Sequence, residues 1–139
     1  MNGLSHYLPL RSETKVYQRR KVEVSKPLFP SYFFAAFDSE DRQEIMKTNY
    51  VLRIMTPPRP RLLLHELAHI RKALRVDPTL GANTAVHQGV HVRITGGPFM
   101  GVEGVVQKIK ANTKVTLNVE MIGQAITFEV DRAYLEVNE

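Results

Sequence analysis

The chain has 139 residues, enough for one domain or for two small ones. Hydrophobic residues make up 43% and charged residues 24%, as in an ordinary globular protein, which excludes disordered and fibrous classes. The lack of cysteine excludes disulfides, thiol catalysis and cysteine-bound metals. No stretch resembles a signal peptide or approaches the roughly 18 apolar residues of a membrane span, so we expect a cytoplasmic protein without membrane contact.

Positive charge is concentrated in the first part of the chain. Residues 1–80 hold 14 Lys and Arg against 8 Asp and Glu, a net +6, whereas residues 81–139 hold 5 against 6, a net −1. A basic first part favours a polyanionic partner, although a solvated surface explains the same charge equally well. The near-neutral second part argues against nucleic acid as its main target.

Strand-like and helix-like patterns mix in the first half. Residues 7–10 and the alternation around Val22 and Val24 predict strands, and the aromatic run over 32–37 predicts a central strand. Asp38 or Ser39 should cap a helix that ends at Lys47.

Two further elements complete the first half. Residues 51–55 predict a strand that stops before Pro57 and Pro58. Apolar residues at helical spacing then predict a second helix: Leu63, Leu67, Ile70 and Leu74.

The pattern changes to strands alone in the second half. Residues 76–88 contain Pro78 and Gly81 without a sustained period, so we expect a linker there. Five apolar segments between residues 90 and 137 predict short strands that close into a small antiparallel barrel. The expected fold class is therefore α+β, followed by an all-β barrel.

The residues from Gly89 onward read GVHVRITGGPFMGVEGV and resemble the KOW motif. We expect positive φ at Gly96 and Gly97, and Phe99 at the tip of the turn, where partner contact is at least as plausible as packing. The motif positions expected to build this turn are Gly89, Gly97, Pro98, Gly101 and Gly104.

The segment Pro27–Phe34, which reads PLFPSYFF, resembles the PLFPGYVFV-type segment of the N-terminal domain of NusG-type transcription factors. Residues 50–55 resemble a later strand of that domain, and residues 89–137 resemble the KOW domain that follows it in the same proteins. The resemblance implies a NusG N-terminal-like domain over 1–75, a linker over 76–88 and an SH3-like KOW barrel over 89–139. The chain starts at what resembles the family's second strand, so one strand and one helix are expected to be missing.

The resemblance also implies a function, that of a non-enzymatic elongation or antitermination factor without a cofactor. The N-terminal domain would bind the clamp coiled coil of the largest RNA polymerase subunit and reduce pausing or modulate termination. The apolar patch that would bind polymerase falls on Phe29, Pro30, Tyr32 and Phe34. The barrel would recruit Rho or a small-subunit ribosomal protein, with Phe99 as its contact. A housekeeping and an operon-specialised member both stay open, and a KOW-containing ribosome- or RNA-binding protein is an alternative.

A basic stretch with an interleaved tyrosine precedes this segment. Its cations are Lys15, Arg19, Arg20 and Lys21. We expect them to contact the backbone of non-template DNA beside the polymerase, because no base-reading arrangement is evident. A charged hairpin without a partner is the alternative.

The residues His65–His69 read HELAH and match the H-E-x-x-H pattern of zinc peptidases. The glycine and histidine of the extended metzincin pattern are absent, since Lys72 and Arg75 occupy their positions. His87, His91 or Glu103 could supply a third ligand, but none follows on a nearby helix. We therefore interpret the motif as the polar face of a surface helix that binds no metal, with a zinc metallopeptidase as the alternative.

Overall fold

The computed structural model describes residues 5–138, and its two α-helices both lie in the first half, after four strands. Its elements there are β1 (Ser5–Tyr7), β2 (Leu10–Tyr17), β3 (Arg20–Pro27), β4 (Phe34–Ala36), α1 (Ser39–Lys47) and α2 (Pro60–Val76). The second half contains β5 (Ala82–Thr84), β6 (Val90–Ile94), β7 (Glu103–Val106), β8 (Asn112–Val119), β9 (Gln124–Asp131) and β10 (Leu135–Val137).

The first four strands form two separate antiparallel ribbons. β1 pairs with β4, and β2 pairs with β3 along eight residues, with Tyr17 opposite Arg20 at the tip. The turn residues Gln18 and Arg19 have φ of 45° and 67°. Two successive positive φ values suit the right-handed twist of a tight hairpin, so the basic residues are held at the end of a regular ribbon.

Helix α1 confirms the predicted capping. The Asp38 carboxylate accepts the Asp41 N–H at 2.9 Å, and the Asp41 carboxylate accepts the Asp38 N–H at 3.4 Å. This reciprocal pair satisfies two N–H groups that the first helical turn leaves without partners. The helix ends at Lys47, as predicted from the sequence.

Helix α2 starts with Pro60 in its first turn, where a missing N–H does no harm. Its apolar stripe, which includes Leu67, Ile70 and Leu74, is buried, and the helix lies against β8. The predicted helix is thus confirmed, and the stripe shows which face meets the sheet.

The second half is a six-stranded antiparallel sheet in the order β10, β6, β7, β8, β9, β5. The five strands predicted between residues 90 and 137 are all present. The stretch expected as a linker contributes β5, which pairs with β9. Because β10 and β5 stand at opposite ends of the hydrogen-bonded order, closure into a barrel stays a prediction.

One hydrophobic core spans both halves. Leu28 and Phe29, which follow β3, are 2% and 1% exposed and belong to the same buried cluster as Ile70 of α2 and Val115 of β8. Helix α2 therefore shares one core with the segment after β3 and with the sheet. Within the described residues no helix has the length and apolar character needed to cross a membrane.

Three strand predictions in the first half are wrong. The strand predicted over residues 7–10 is interrupted, because β1 ends at Tyr7 and β2 begins at Leu10. The aromatic run over 32–37 forms only the three-residue strand β4, which pairs with β1 alone and is not central. Residues 51–55 form no strand, and Leu52 is 97% exposed. A strand needs a neighbour to satisfy its backbone, and within the described part of the chain residues 51–55 pair with no strand.

Candidate functional site

The HELAH residues bring two imidazoles onto the face of α2 that meets the sheet. His65 and His69 are one helical turn apart, and their rings meet edge to face with centroids 4.4 Å apart. Glu103 begins β7, where its backbone pairs with Arg93 of β6. Its Oε2 atom lies 3.2 Å from His65 Nε2 and 3.3 Å from His69 Nε2. A carboxylate from the sheet is thus shared by two histidines from the helix.

The interpretation of HELAH as a purely solvent-facing surface is wrong for His69. This residue is only 7% exposed, because α2 turns its His69 face toward the start of β7. His65 is more accessible to solvent, with 56% of its side chain exposed. The cluster therefore has one buried and one accessible imidazole.

Hydrogen bonding fixes the tautomer of His69. Its Nδ1 atom accepts the backbone N–H of Glu103 at 3.1 Å, so this nitrogen carries no proton. In the neutral ring the proton is then on Nε2, where it is donated to the Glu103 carboxylate. Burial, followed by the electrostatic influence of His65 and Lys72, lowers the pKa of His69 and favours this neutral form.

A second side chain orients the shared carboxylate. The Asn138 side-chain amide donates to Oε1 of Glu103 at 3.0 Å, which leaves Oε2 directed at the imidazoles. This hydrogen bond is the main cause that lowers the pKa of Glu103, with further lowering by His69 and His65. Glu103 is therefore held as an anion beside two nitrogen donors.

Glu66 lies on the same helix and would be the general base of a zinc peptidase, but its carboxylate is bound to a group outside the helix. Its carboxylate accepts the backbone N–H of Glu120 at 3.2 Å. Burial raises its pKa to about 7, and the Glu120 N–H opposes that change. All of these groups border one cleft of about 350 Å³.

The donor set suits a transition metal better than magnesium or calcium. His65, His69 and Glu103 each offer one ligand atom, and these atoms lie within 4.8 Å of one another. Ligand atoms about 2.0–2.2 Å from a tetrahedral zinc ion lie roughly 3.3–3.6 Å apart, close to the two imidazole-to-carboxylate distances. Imidazole nitrogen favours zinc and its neighbours, whereas all-oxygen sets favour magnesium and calcium.

The KOW-like turn joins β6 to β7. Gly97 and Gly101 have positive φ, at 76° and 93°, as this tight turn requires. The expectation of positive φ at Gly96 is wrong. A Cβ at this position would lie 2.6 Å from the Tyr134 ring. Close packing, not backbone conformation, explains the glycine at that position. Pro98 is exposed in the same turn.

Phe99 is half-buried and packs against the hydrophobic core. Its ring stacks on Phe128 of β9 with centroids 4.0 Å apart and an angle of 17° between the planes. Met100, the next residue, is 67% exposed. The turn therefore presents Met100 to solvent more than Phe99, and partner binding by Phe99 stays a prediction.

The residues of the predicted polymerase patch differ in how far they are buried. Phe29 is 1% exposed, Tyr32 and Phe34 are half-buried against the common core, and Pro30 is exposed. Phe33, which lies outside the predicted patch, is 55% exposed and stacks on His6. The accessible part of the predicted patch thus consists of Pro30 with parts of Tyr32 and Phe34.

The predicted nucleic-acid residues lie along one ribbon. Arg19, Arg20 and Lys21 are exposed at the tip of the β2–β3 hairpin, while Lys15 is half-buried farther along β2. Near its base, Lys26 pairs with Glu13 at 2.7 Å. The free positive charge is therefore concentrated at the tip.

Sequence reasoning identifies the groups that complete the histidine cluster only in part. It offers Glu103 as one of three possible third ligands, and it does not reach Asn138. Each is more than 30 residues from His69 along the chain, and only the pairing of β6, β7 and β10 brings them together. No local sequence pattern carries that information.

No family model matches the chain. The chain is similar to a solved structure of Thermotoga maritima NusG, described as showing domain interaction in that protein, with 21% identity and a TM-score of 0.45. The match covers 96% of this chain and 78% of that one. This likeness assigns no role to any residue of the present chain.

Proposed function

We propose that this protein is a NusG-type transcription factor that binds RNA polymerase through its first half and a second partner through its sheet. The observation that carries the proposal is the order of two family-like segments, Pro27–Phe34 and residues 89–137, along one chain. The second segment forms the strand, glycine turn and strand that the KOW-like pattern predicts.

Two surface features support polymerase binding. An apolar surface around Pro30 and Tyr32 would meet the clamp coiled coil of the largest subunit, since helical targets dock on such surfaces through apolar side chains. The cationic tip at Arg19, Arg20 and Lys21 would run beside non-template DNA and contact its phosphates. Because Phe29 is buried, we assign it to packing unless the two halves separate.

The action would be steric and without catalysis. A factor that bridges the clamp favours the closed, processive state of polymerase if it binds that state more tightly than the open one. The sheet, with Met100 and Phe99 at its turn, would meanwhile hold Rho or a small-subunit ribosomal protein. The effect could be fewer pauses or altered termination, depending on that partner.

A binding experiment with three chains tests the proposal. Wild-type chain should co-elute with purified core polymerase in gel filtration, and Tyr32→Ala should weaken binding by about tenfold or more, as loss of an aromatic anchor does. Phe33→Ala is the matched control, because it removes an exposed neighbouring aromatic outside the proposed patch. Absence of wild-type binding, or equal losses in both variants, would refute this binding mode.

A zinc metallopeptidase is the second candidate, because His65, His69 and Glu103 converge in a cleft. Its general base would be Glu66, which must first leave the Glu120 N–H. Hydrolysis of unstructured peptides by zinc-loaded protein, abolished by Glu66→Gln, would favour this enzyme. Polymerase binding without hydrolysis would favour the transcription factor.

A further inference from the structure

We propose that His65, His69 and Glu103 form a binding site for one zinc-class divalent cation, which joins helix α2 to strand β7. The inference is independent of the proposed polymerase binding, since it rests on three side chains that converge from two elements of the fold. It needs neither the resemblance of residues 89–137 to a KOW domain nor the predicted polymerase patch.

Three features of the cluster fit a metal site. The Glu103 oxygen lies 3.2 and 3.3 Å from the two imidazole nitrogens, close to the spacing of ligands around tetrahedral zinc. Asn138 holds the other carboxylate oxygen at 3.0 Å, as outer partners of metal ligands do. His65 is accessible from the cleft, which provides an entry path and room for a water as fourth ligand.

Binding requires one rearrangement, and this gives the proposal a specific signature. His69 carries its proton on Nε2, because Nδ1 accepts the Glu103 N–H. A cation must replace that proton on Nε2, so the neutral ring then carries its proton on Nδ1. The Glu103 N–H consequently loses its acceptor and must shift. Zinc should therefore change the tautomer of His69 and the environment of the Glu103 amide together.

The alternative is a cluster that never holds a cation. Two imidazoles that share a carboxylate already form favourable hydrogen bonds, and such a group fastens a helix to a sheet without metal. The alternative predicts that zinc leaves both His69 and the Glu103 amide unchanged. The two cases therefore differ in a direct observation.

The test begins with a zinc titration of the full chain after treatment with a chelator, followed by calorimetry. Wild-type protein should bind one Zn²⁺ per chain. His65→Ala and Glu103→Gln should each lower the affinity more than about 100-fold, since loss of an outer partner alone lowers it about 10–100-fold. His65 is mostly exposed, and glutamine keeps an acceptor for Asn138, so both variants should fold.

His91→Ala is the matched control, because His91 is an exposed imidazole on the same cleft outside the cluster. It should bind zinc as wild type does. Asn138→Ala should weaken binding by about 10–100-fold if Asn138 orients Glu103. Equal zinc binding by wild type and His65→Ala, or an equal loss in His91→Ala, would overturn the proposal.

Nuclear magnetic resonance of nitrogen-labelled protein gives the second readout. In wild-type protein, saturating Zn²⁺ should move the His69 proton from Nε2 to Nδ1 and shift the Glu103 amide signal. Neither change should occur in His65→Ala at the same zinc concentration. Unchanged His69 and Glu103 signals in zinc-saturated wild type would show that the cation binds elsewhere, which would also overturn the assignment.

Discussion

Gly104 stands where β7 passes β8 with no space for a side chain. A Cβ at this position would lie 2.7 Å from Val115 Cγ1 and 2.8 Å from the Thr116 carbonyl oxygen. Both neighbours belong to the paired strand, and a carbonyl in a ladder cannot move without weakening the sheet. Glycine at this position of the KOW-like pattern therefore allows the two strands to lie close together.

Gly104→Ala should lower the free energy of unfolding by about 1–3 kcal/mol, because overpacking displaces neighbouring backbone. Urea denaturation of both proteins measures the difference. The control is Gly81→Ala, since a Cβ at Gly81 meets nothing nearer than 3.8 Å. Equal stability of Gly104→Ala and wild type would contradict the close approach.

Phe99 and Met100 are neighbours with different surroundings. Phe99→Ala removes the ring stacked on Phe128 and should reduce stability by about 1–3 kcal/mol, below the range for a fully buried phenylalanine. Met100→Ala should stay within about 0.5 kcal/mol, because the side chain is largely exposed. Thermal unfolding compares the two, and the reverse order of stability would show that the stacked pair does not form.

The sequence predicts the structural roles of some of these residues and not of others. The positive φ of Gly97 and the Asp38 cap could be predicted because their requirements are local: a tight turn, or an acceptor three residues before an N–H. The burial of Phe29 and His69 could not, since it depends on which faces α2 and the sheet present to each other. The same applies to Glu103, which reaches the histidines only through strand pairing.

The β2–β3 hairpin holds its cations far from its own ion pair. Glu13 pairs with Lys26 and lies 3.6 Å from Arg11, so the base of the ribbon is partly neutralised. Arg19, Arg20 and Lys21 at the tip are exposed. If the tip contacts a polyanion, as we propose, it would do so through its charge, and salt would weaken the binding.

Replacing Arg19, Arg20 and Lys21 with glutamine should weaken association with a transcribing polymerase complex, more at low salt than at high salt. The slope of log affinity against log salt should become shallower by up to about 3, one for each lost phosphate contact. Fluorescence anisotropy at several salt concentrations measures it. An unchanged slope would remove the hairpin from the DNA interface.

The sequence pattern predicted an element correctly where the element forms its backbone hydrogen bonds internally, as a helix does, or with strands that are close in the chain. Both helices and the five strands after residue 90 were predicted for this reason. Residues 51–55 failed the same test, since an extended apolar segment becomes a strand only beside a partner. Tyr50 and Leu52 remain exposed there, at 93% and 97%.

The whole molecule depends on α2, which shares one core with the ribbons and the sheet. Ile70 is fully buried, in a cluster that includes Phe29 of the first half and Val115 of the second. Disturbing it should therefore weaken both halves together.

Ile70→Ala should lower the free energy of unfolding by about 2–5 kcal/mol through the cavity it leaves. Hydrogen exchange should then accelerate in α2 and also in β9. Leu64→Ala, an exposed position on the same helix, should stay within about 0.5 kcal/mol. Acceleration confined to α2 would mean that the halves fold independently.

A transcript assay on purified polymerase shows whether this chain acts on transcribing RNA polymerase, as we propose. A template with one pause site and one terminator reports both steps in the same reaction. Saturating wild-type chain should shorten the pause or change the fraction of terminated transcripts, and Tyr32→Ala at the same concentration should do so less. Pause lifetimes and terminated fractions identical with and without the saturating chain would contradict the proposal.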